Sequence, residues 1–354
     1  MLLYVGVAIW PLIIQWIYQH KPISIKNKKI SRNSYLIIAL LPIFVLLALR
    51  AGNMGADTGV YTMHFTNMIN TPLKSAFEMS RMEKGYLVYV KVLTYITNNP
   101  LVYQIICVFI YIIGLRDFLR FQDNDSEFMF LFMYCTLGLF FFMFTGVRQC
   151  IAMSICLFSY KYIDRKQLIR FSICLILAFF FHKSAILFIV VPLIIRRKIS
   201  ILNTTIYFVA ALIAGRYLNV IQDWFNNQFD YAYGIENIGS GMVFLLVLIV
   251  LTVFSLVMIY NQYGSLNVDE RTKALININF ITLFFWIMRL QTRVAERPSY
   301  YFMFFSCALY AYALNGTKDK HKPLYLLLVG GCLLLLFIYR LKTNFSSLIP
   351  YTLY

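Results

Sequence analysis

Apolar runs recur from one end of this chain to the other, and few folds tolerate that. LLYVGVAIWPLIIQWIY at 2–18, YLIIALLPIFVLLAL at 35–49 and MVFLLVLIVLTVFSLVMIY at 242–260 are each long enough, or nearly so, to cross ~30 Å of hydrocarbon. A packed soluble core has no room for so many unbroken segments. Composition agrees: 60% of residues are hydrophobic and 13% charged, roughly half the charged fraction of a soluble domain. The runs predict an all-α polytopic membrane protein of about twelve transmembrane helices. They fall at 1–18, 35–49, 101–115, 127–145, 149–163, 168–181, 184–195, 200–215, 242–260, 273–290, 298–314 and 323–339. The chain, 1–354, reads as a single integral membrane domain. Residues 85–97 are apolar too, but their length suits an interfacial helix better than a span. Met1 to Tyr18 lacks a basic leader and a small-residue cleavage site, so it reads as a first span rather than a removable signal peptide.

The net charge of +17 would suggest nucleic acid in a soluble protein. Here no recognition motif or basic tail stands apart from the spans, so no nucleic-acid partner is expected. The basic residues sit instead in short loops, where they set orientation. One alternate set of loops holds Lys21, Lys26, Lys28, Lys29 and Arg32, then Arg116 and Arg120, then Lys161, Arg165, Lys166 and Arg170. It continues with Arg196, Arg197 and Lys198, then Arg271 and Lys273, then Lys318, Lys320 and Lys322. Placing this richer set in the cytoplasm puts both termini and the longest loops, 50–84 and 216–241, on the outer face. The cysteines all fall inside apolar stretches without a C-x-x-C pair, which indicates neither a zinc site nor a disulfide framework.

Four arginines break the asymmetry. Arg148, Arg289, Arg293 and Arg297 lie at outer helix ends near membrane depth, where a charge is costly and usually faces a cavity or a partner. Arg289, Arg293 and Arg297 follow at four-residue spacing and would stack along one helix stripe, repelling one another unless an anion sits against them. Guanidinium groups bind phosphate in a planar, bidentate manner, which makes a phosphate the natural occupant. The plainer alternative pairs Glu296 with Arg293 and lets the others reach lipid headgroups. Arg148, with Gln149 beside it, opens a helix at a turn too short to be a solvated loop, and is either an interfacial anchor or a second phosphate or sugar contact. His182 and Lys183 occupy another outer turn, where a histidine near neutrality suits a general base. Asp57 and Glu83 are the candidate outer carboxylates for deprotonating or binding a sugar hydroxyl, although Asp57 in GADTG also suits a helix cap near Thr58. Trp224, Phe225, Tyr231 and Tyr233, among Asp223, Asp230 and Glu236, could stack on sugars or simply form an interfacial belt.

In order along the chain, GADTGVY, EKGY, VRQCIA, HKSA and RVAERPSYYF resemble the EpsG branch of the Wzy-type polysaccharide polymerases. The resemblance runs from about Gly55 to the final SSLIPY and covers Gly55, Asp57, Tyr61, Glu83, Gly85, Arg148, Gln149, Ala152, His182, Ala185, Arg293 and Arg297. It implies a membrane glycosyltransferase, arranged as a GT-C-like bundle, in the bacterial plasma membrane. Its substrates would be lipid-linked oligosaccharides: a growing glycan on undecaprenyl pyrophosphate as donor and one new lipid-linked repeat unit as acceptor. Membrane lipid, a chain-length regulator and a flippase are the implied companions, and the products would be exopolysaccharide, capsule or O-antigen. Under this reading Arg148, Arg293 and Arg297, with Arg289, Lys183, Gln149 and Tyr61, hold the pyrophosphate and sugars. Asp57, Glu83 or His182 orients or deprotonates the acceptor hydroxyl. No metal or other cofactor is expected, because guanidinium groups can carry the charge a cation would neutralise and no close carboxylate pair is visible. A lipid-linked oligosaccharide flippase would need similar halves and mid-membrane arginines. An O-antigen-ligase-like enzyme would differ only in its acceptor.

Overall fold

A computed structural model describes the chain except for residues 26–27, 123–124, 218–219, 221–223, 225–226, 228–240, 292, 318–319 and 344. Helices are α1 (Leu2–His20), α2 (Arg32–Ala48), α3 (Thr58–Asn70), α4 (Leu73–Met79), α5 (Lys84–Ile96), α6 (Pro100–Gln122), α7 (Glu127–Thr136), α8 (Val147–Asp164) and α9 (Leu168–Phe181). They continue with α10 (Val191–Ile194), α11 (Ile201–Arg216), α12 (Met242–Tyr263), α13 (Glu270–Arg289), α14 (Glu296–Gly316) and α15 (Lys322–Thr343). A two-residue antiparallel pair, Ser24–Ile25 with Lys28–Lys29, lies between α1 and α2. Two compact units result: Met1–Ile186 with Pro323–Tyr354, and Leu187–Lys322.

Among the described residues four helices, α1, α6, α12 and α15, are long and apolar enough to cross a membrane, where about twelve spans are expected from the sequence. Their surfaces suit lipid, since Val243, Val250, Leu327 and Leu335 stand exposed on them. The runs at 35–49, 149–163, 168–181, 200–215, 273–290 and 298–314 are helical, as α2, α8, α9, α11, α13 and α14, and two others differ from expectation for identifiable reasons. The run at 127–145 is not one helix: Gly138, at φ +76°, stops α7 in a left-handed turn, and 3-10 geometry carries Leu139–Phe144. The run at 184–195 is a 3-10 stretch, Lys183–Val190, leading into the four-residue α10 with Pro192 in its first turn. The supposed loop 50–84 contains α3 and α4, whereas the helix expected at 85–97 is present as α5. Most of the aromatic loop 216–241 lies outside the described residues, including Asp223, Phe225, Asp230, Tyr231, Tyr233 and Glu236; Trp224 is exposed.

In the first unit α8 packs against both α6 and α9. A Cβ at Gly114 of α6 would overlap the Ser154 side chain and sit 2.6 Å from its carbonyl oxygen, so only glycine permits this backbone approach. The C-terminal segment folds back onto the end of α2: Tyr354 N–H donates to Leu49 O, Ala51 N–H to Thr352 O, and Tyr4 Oη to Leu348 O. Residues 4, 49–51 and 348–354 therefore share one end of this unit. In the second unit Asn279 of α13 donates to Thr252 of α12 at 2.9 Å and accepts from Tyr310 of α14 at 2.9 Å. Buried polar groups joined this way fix which helix faces meet in a setting where apolar packing discriminates poorly.

Candidate active site

The first unit brings three distant motifs onto one carboxylate. Glu83 occupies the N-cap position of α5, yet its side chain makes no cap bond. Its Oε1 accepts from His182 Nδ1 at 2.9 Å and from the Lys183 backbone N–H at 3.2 Å, while Oε2 accepts from Arg148 Nη1. A carboxylate can only accept, so Nδ1 of His182 carries the proton. Glu83 is 4% exposed and His182 6%, which means neither charge nor ring has water as an alternative partner.

Local sequence explains the convergence. His182 ends α9 with an extended backbone and turns the chain so that Lys183 N–H points back at Glu83. Gly85 lets the start of α5 press on the end of α9, because a Cβ there would lie 2.6 Å from Phe180 Cβ and 2.7 Å from Phe180 O. Arg148 stands in the first turn of α8, where the helix dipole disfavours a cation and the Glu83 carboxylate offsets it. Its Nε donates to Tyr61 Oη at 3.4 Å, and its guanidinium lies 5.9 Å from the Tyr86 ring centre. Arg148 keeps 16% of its side chain exposed while Glu83 is sealed, so the arginine is the accessible member of the pair. Gln149 is buried in the same first turn, and Lys183 is half-buried.

The GADTG segment is built against the residues preceding Arg148. Gly55 has φ +86°, and a Cβ there would sit 2.6 Å from Phe144 O, so both conformation and space demand glycine. Thr58 Oγ1 donates to Phe144 O at 3.0 Å, and the buried Arg50 donates to Thr58 Oγ1 and Met143 O. Asp57 holds the N-cap position of α3, half-buried, but its carboxylate makes no cap bond and no ion pair among the described residues. It lies one turn before Tyr61, about 6 Å along the axis and on the same side of the helix.

Sequence reasoning missed three members. His64 stacks on Tyr86 at 5.9 Å, and its Nδ1 is buried without a hydrogen-bond partner among the described residues. Burial first, and Arg148 second, push its pKa below the usual value. The signal was present, since His64 is three residues from Tyr61 and Tyr86 three from Glu83, one helical turn in each case. Arg50, at the start of the 50–84 loop, is 1% exposed and anchors the segment.

The arginine stripe of the second unit does not form. Arg289 closes α13, the chain turns through Leu290 and Gln291, Arg293–Ala295 is a 3-10 turn, and Glu296 and Arg297 open α14. Glu296 pairs with Arg289, its Oε2 accepting from Nε at 2.9 Å, and its Oε1 accepts from Tyr300 Oη. Arg289 is 5% exposed and Arg297 half-buried; the Arg293 side chain lies outside the described residues. Among the described residues no three His, Cys, Asp or Glu side chains gather as a metal site.

No curated protein and no solved structure is a match to this chain. The EpsG family profile matches residues 33–353, nearly the whole length, and spans every motif described above. This membrane chain belongs to the EpsG family, whose members are Wzy-type polysaccharide polymerases.

Proposed function

We propose that the chain polymerises undecaprenyl-pyrophosphate-linked repeat units at the outer face of the bacterial plasma membrane, with Arg148 on the departing pyrophosphate. The observation that carries this reading is the Glu83 carboxylate joining the EKGY, VRQCIA and HKSA motifs at one point. The outer face is supported by helix ends: Arg148 begins α8 whereas Lys161 and Arg165 lie at its other end, and the basic Arg116 and Arg120 close α6.

In the reaction an acceptor hydroxyl attacks the anomeric carbon of the donor glycan. The new C–O bond forms as the bond to pyrophosphate breaks, and the lipid pyrophosphate leaves with the electron pair. Charge on the leaving oxygen grows in that transition state, where a preset cation at low dielectric is most effective. Arg148 and Lys183 supply it. Glu83 has both oxygens engaged and serves as a positioning residue, with His182, for the Arg148 guanidinium. Asp57, uncommitted and one turn from Tyr61, accepts the proton of the acceptor hydroxyl. In the second unit Glu296 commits Arg289 to holding that corner, and Arg297, half-buried in the first turn of α14, is the candidate for a further phosphate contact.

The test is complementation of a polymerase-deleted strain of the source organism, with extracted glycans run on a gel. Wild type should restore a ladder, and Arg148→Ala, at equal membrane abundance, should leave single lipid-linked repeats on the outer face. Repeats trapped on the cytoplasmic side in the deleted strain would point to a flippase and overturn the proposal.

A further inference from the structure

The opposite end of α8 carries a second feature that the polymerase reading does not use. Asp117, Arg120 and Phe121 of α6, with Lys161 and Arg165 at the end of α8, line a cavity of about 270 Å³. Arg165 is seventeen residues beyond Arg148, so this cavity lies roughly 25 Å along the helix from the Glu83 cluster.

The lining is three cations and one carboxylate. Lys161 Nζ bonds Asp117 Oδ2 at 3.0 Å, which neutralises one positive charge. Arg120 and Arg165 are exposed and make no side-chain hydrogen bond or ion pair among the described residues; Arg165 lies over the Phe121 ring at 5.9 Å. Of the acids that follow α6, Asp125 and Glu127 both pair with Arg32. Helix dipoles and loop topology explain why helix ends carry basic residues singly. Neither explains why three converge on one open pocket, two of them without an ion-pair partner among the described residues. A double positive excess in a small cavity matches the charge of a phosphate ester, about −1 to −2, and arginine forks match its oxygen geometry.

We propose that this cavity binds a phosphate ester at the membrane surface opposite the polymerase site. Two sources share that chemistry: the headgroup of an anionic phospholipid and a soluble phosphate. Full-length protein in detergent, titrated with phosphatidylglycerol, phosphatidylcholine or inorganic phosphate and read by native mass spectrometry and thermal melting, separates them. The variant is Arg120→Gln/Arg165→Gln, and Lys74→Gln/Arg81→Gln, two exposed cations elsewhere, controls for net charge. Wild type and control should retain phosphatidylglycerol over phosphatidylcholine, and the cavity variant should bind it about 30-fold more weakly, equivalent to ~2 kcal/mol for two basic contacts. Stabilisation by inorganic phosphate, lost in the same variant and without lipid preference, would support the site with a soluble ligand. Equal binding by wild type and the cavity variant overturns the proposal.

Discussion

Gly85→Ala isolates the close approach that assembles the site. In an exposed helix the change would stabilise by about 1 kcal/mol through propensity. At Gly85 the new methyl meets Phe180 Cβ at 2.6 Å and Phe180 O at 2.7 Å, whereas relaxed contacts of carbon lie near ~3.5–4.0 Å. The obstacle includes backbone, which cannot swing aside as a side-chain tip can, so α5 and α9 must part by most of an ångström. Overpacking of this kind costs about 1–3 kcal/mol, which exceeds the propensity gain at most of that range. The same displacement pulls Glu83 from His182 Nδ1 and Lys183 N–H, bonds of 2.9 and 3.2 Å with little slack. The expected outcome is a net loss of up to ~2 kcal/mol in thermal unfolding of the detergent-solubilised protein, with a polymer ladder shortened or absent at equal abundance. A variant that melts at or above wild type and gives full-length polymer would refute the reasoning.

Glu83→Ala should be worse for folding than Glu83→Gln, because removing one partner of a buried pair costs ~3–5 kcal/mol, and membrane yield of the two variants reads the difference. His64 has a lowered pKa, so the unfolded chain binds its proton more readily than the folded one; its contribution is complete above pH ~6.5 and is lost as pH falls below that value. Melting of wild type between pH 7.5 and 5 should therefore show an acid-side loss that His64→Phe reduces. Asn279→Ala should destabilise the second unit by ~0.6–1.7 kcal/mol by stripping partners from Thr252 and Tyr310; no change in melting would mean that network is dispensable.

The helices and the motif order were readable from apolar runs, yet several breaks were not. Four-residue spacing of Arg289, Arg293 and Arg297 is satisfied on paper whether or not the backbone is continuous. Pro298 held the clue: inside a continuous helix its ring would meet the carbonyl of residue 294, whereas restarting at Glu296 puts it harmlessly in a first turn. Gly138 marked the break in the 127–145 run in the same way. The Glu83 cluster was legible as separate polar residues in the first outer loop and at outer turns, but not as one contact, since residues 83, 148 and 182 are joined only by tertiary packing of α5, α8 and α9. Arg50 looked like a loop charge because nothing local reveals that Thr58 and the carbonyl of Met143 enclose it.

The most direct measurement is the rate at which purified protein extends a synthetic undecaprenyl-pyrophosphate repeat unit, compared for wild type, Arg148→Ala and Arg148→Lys. Loss of one preset charge-stabilising group costs ~10²–10³ in rate, so Arg148→Ala should fall by that much, with Arg148→Lys recovering part of it. Wild-type turnover by Arg148→Ala, at matched folding, would contradict the assignment of the pyrophosphate to this cluster.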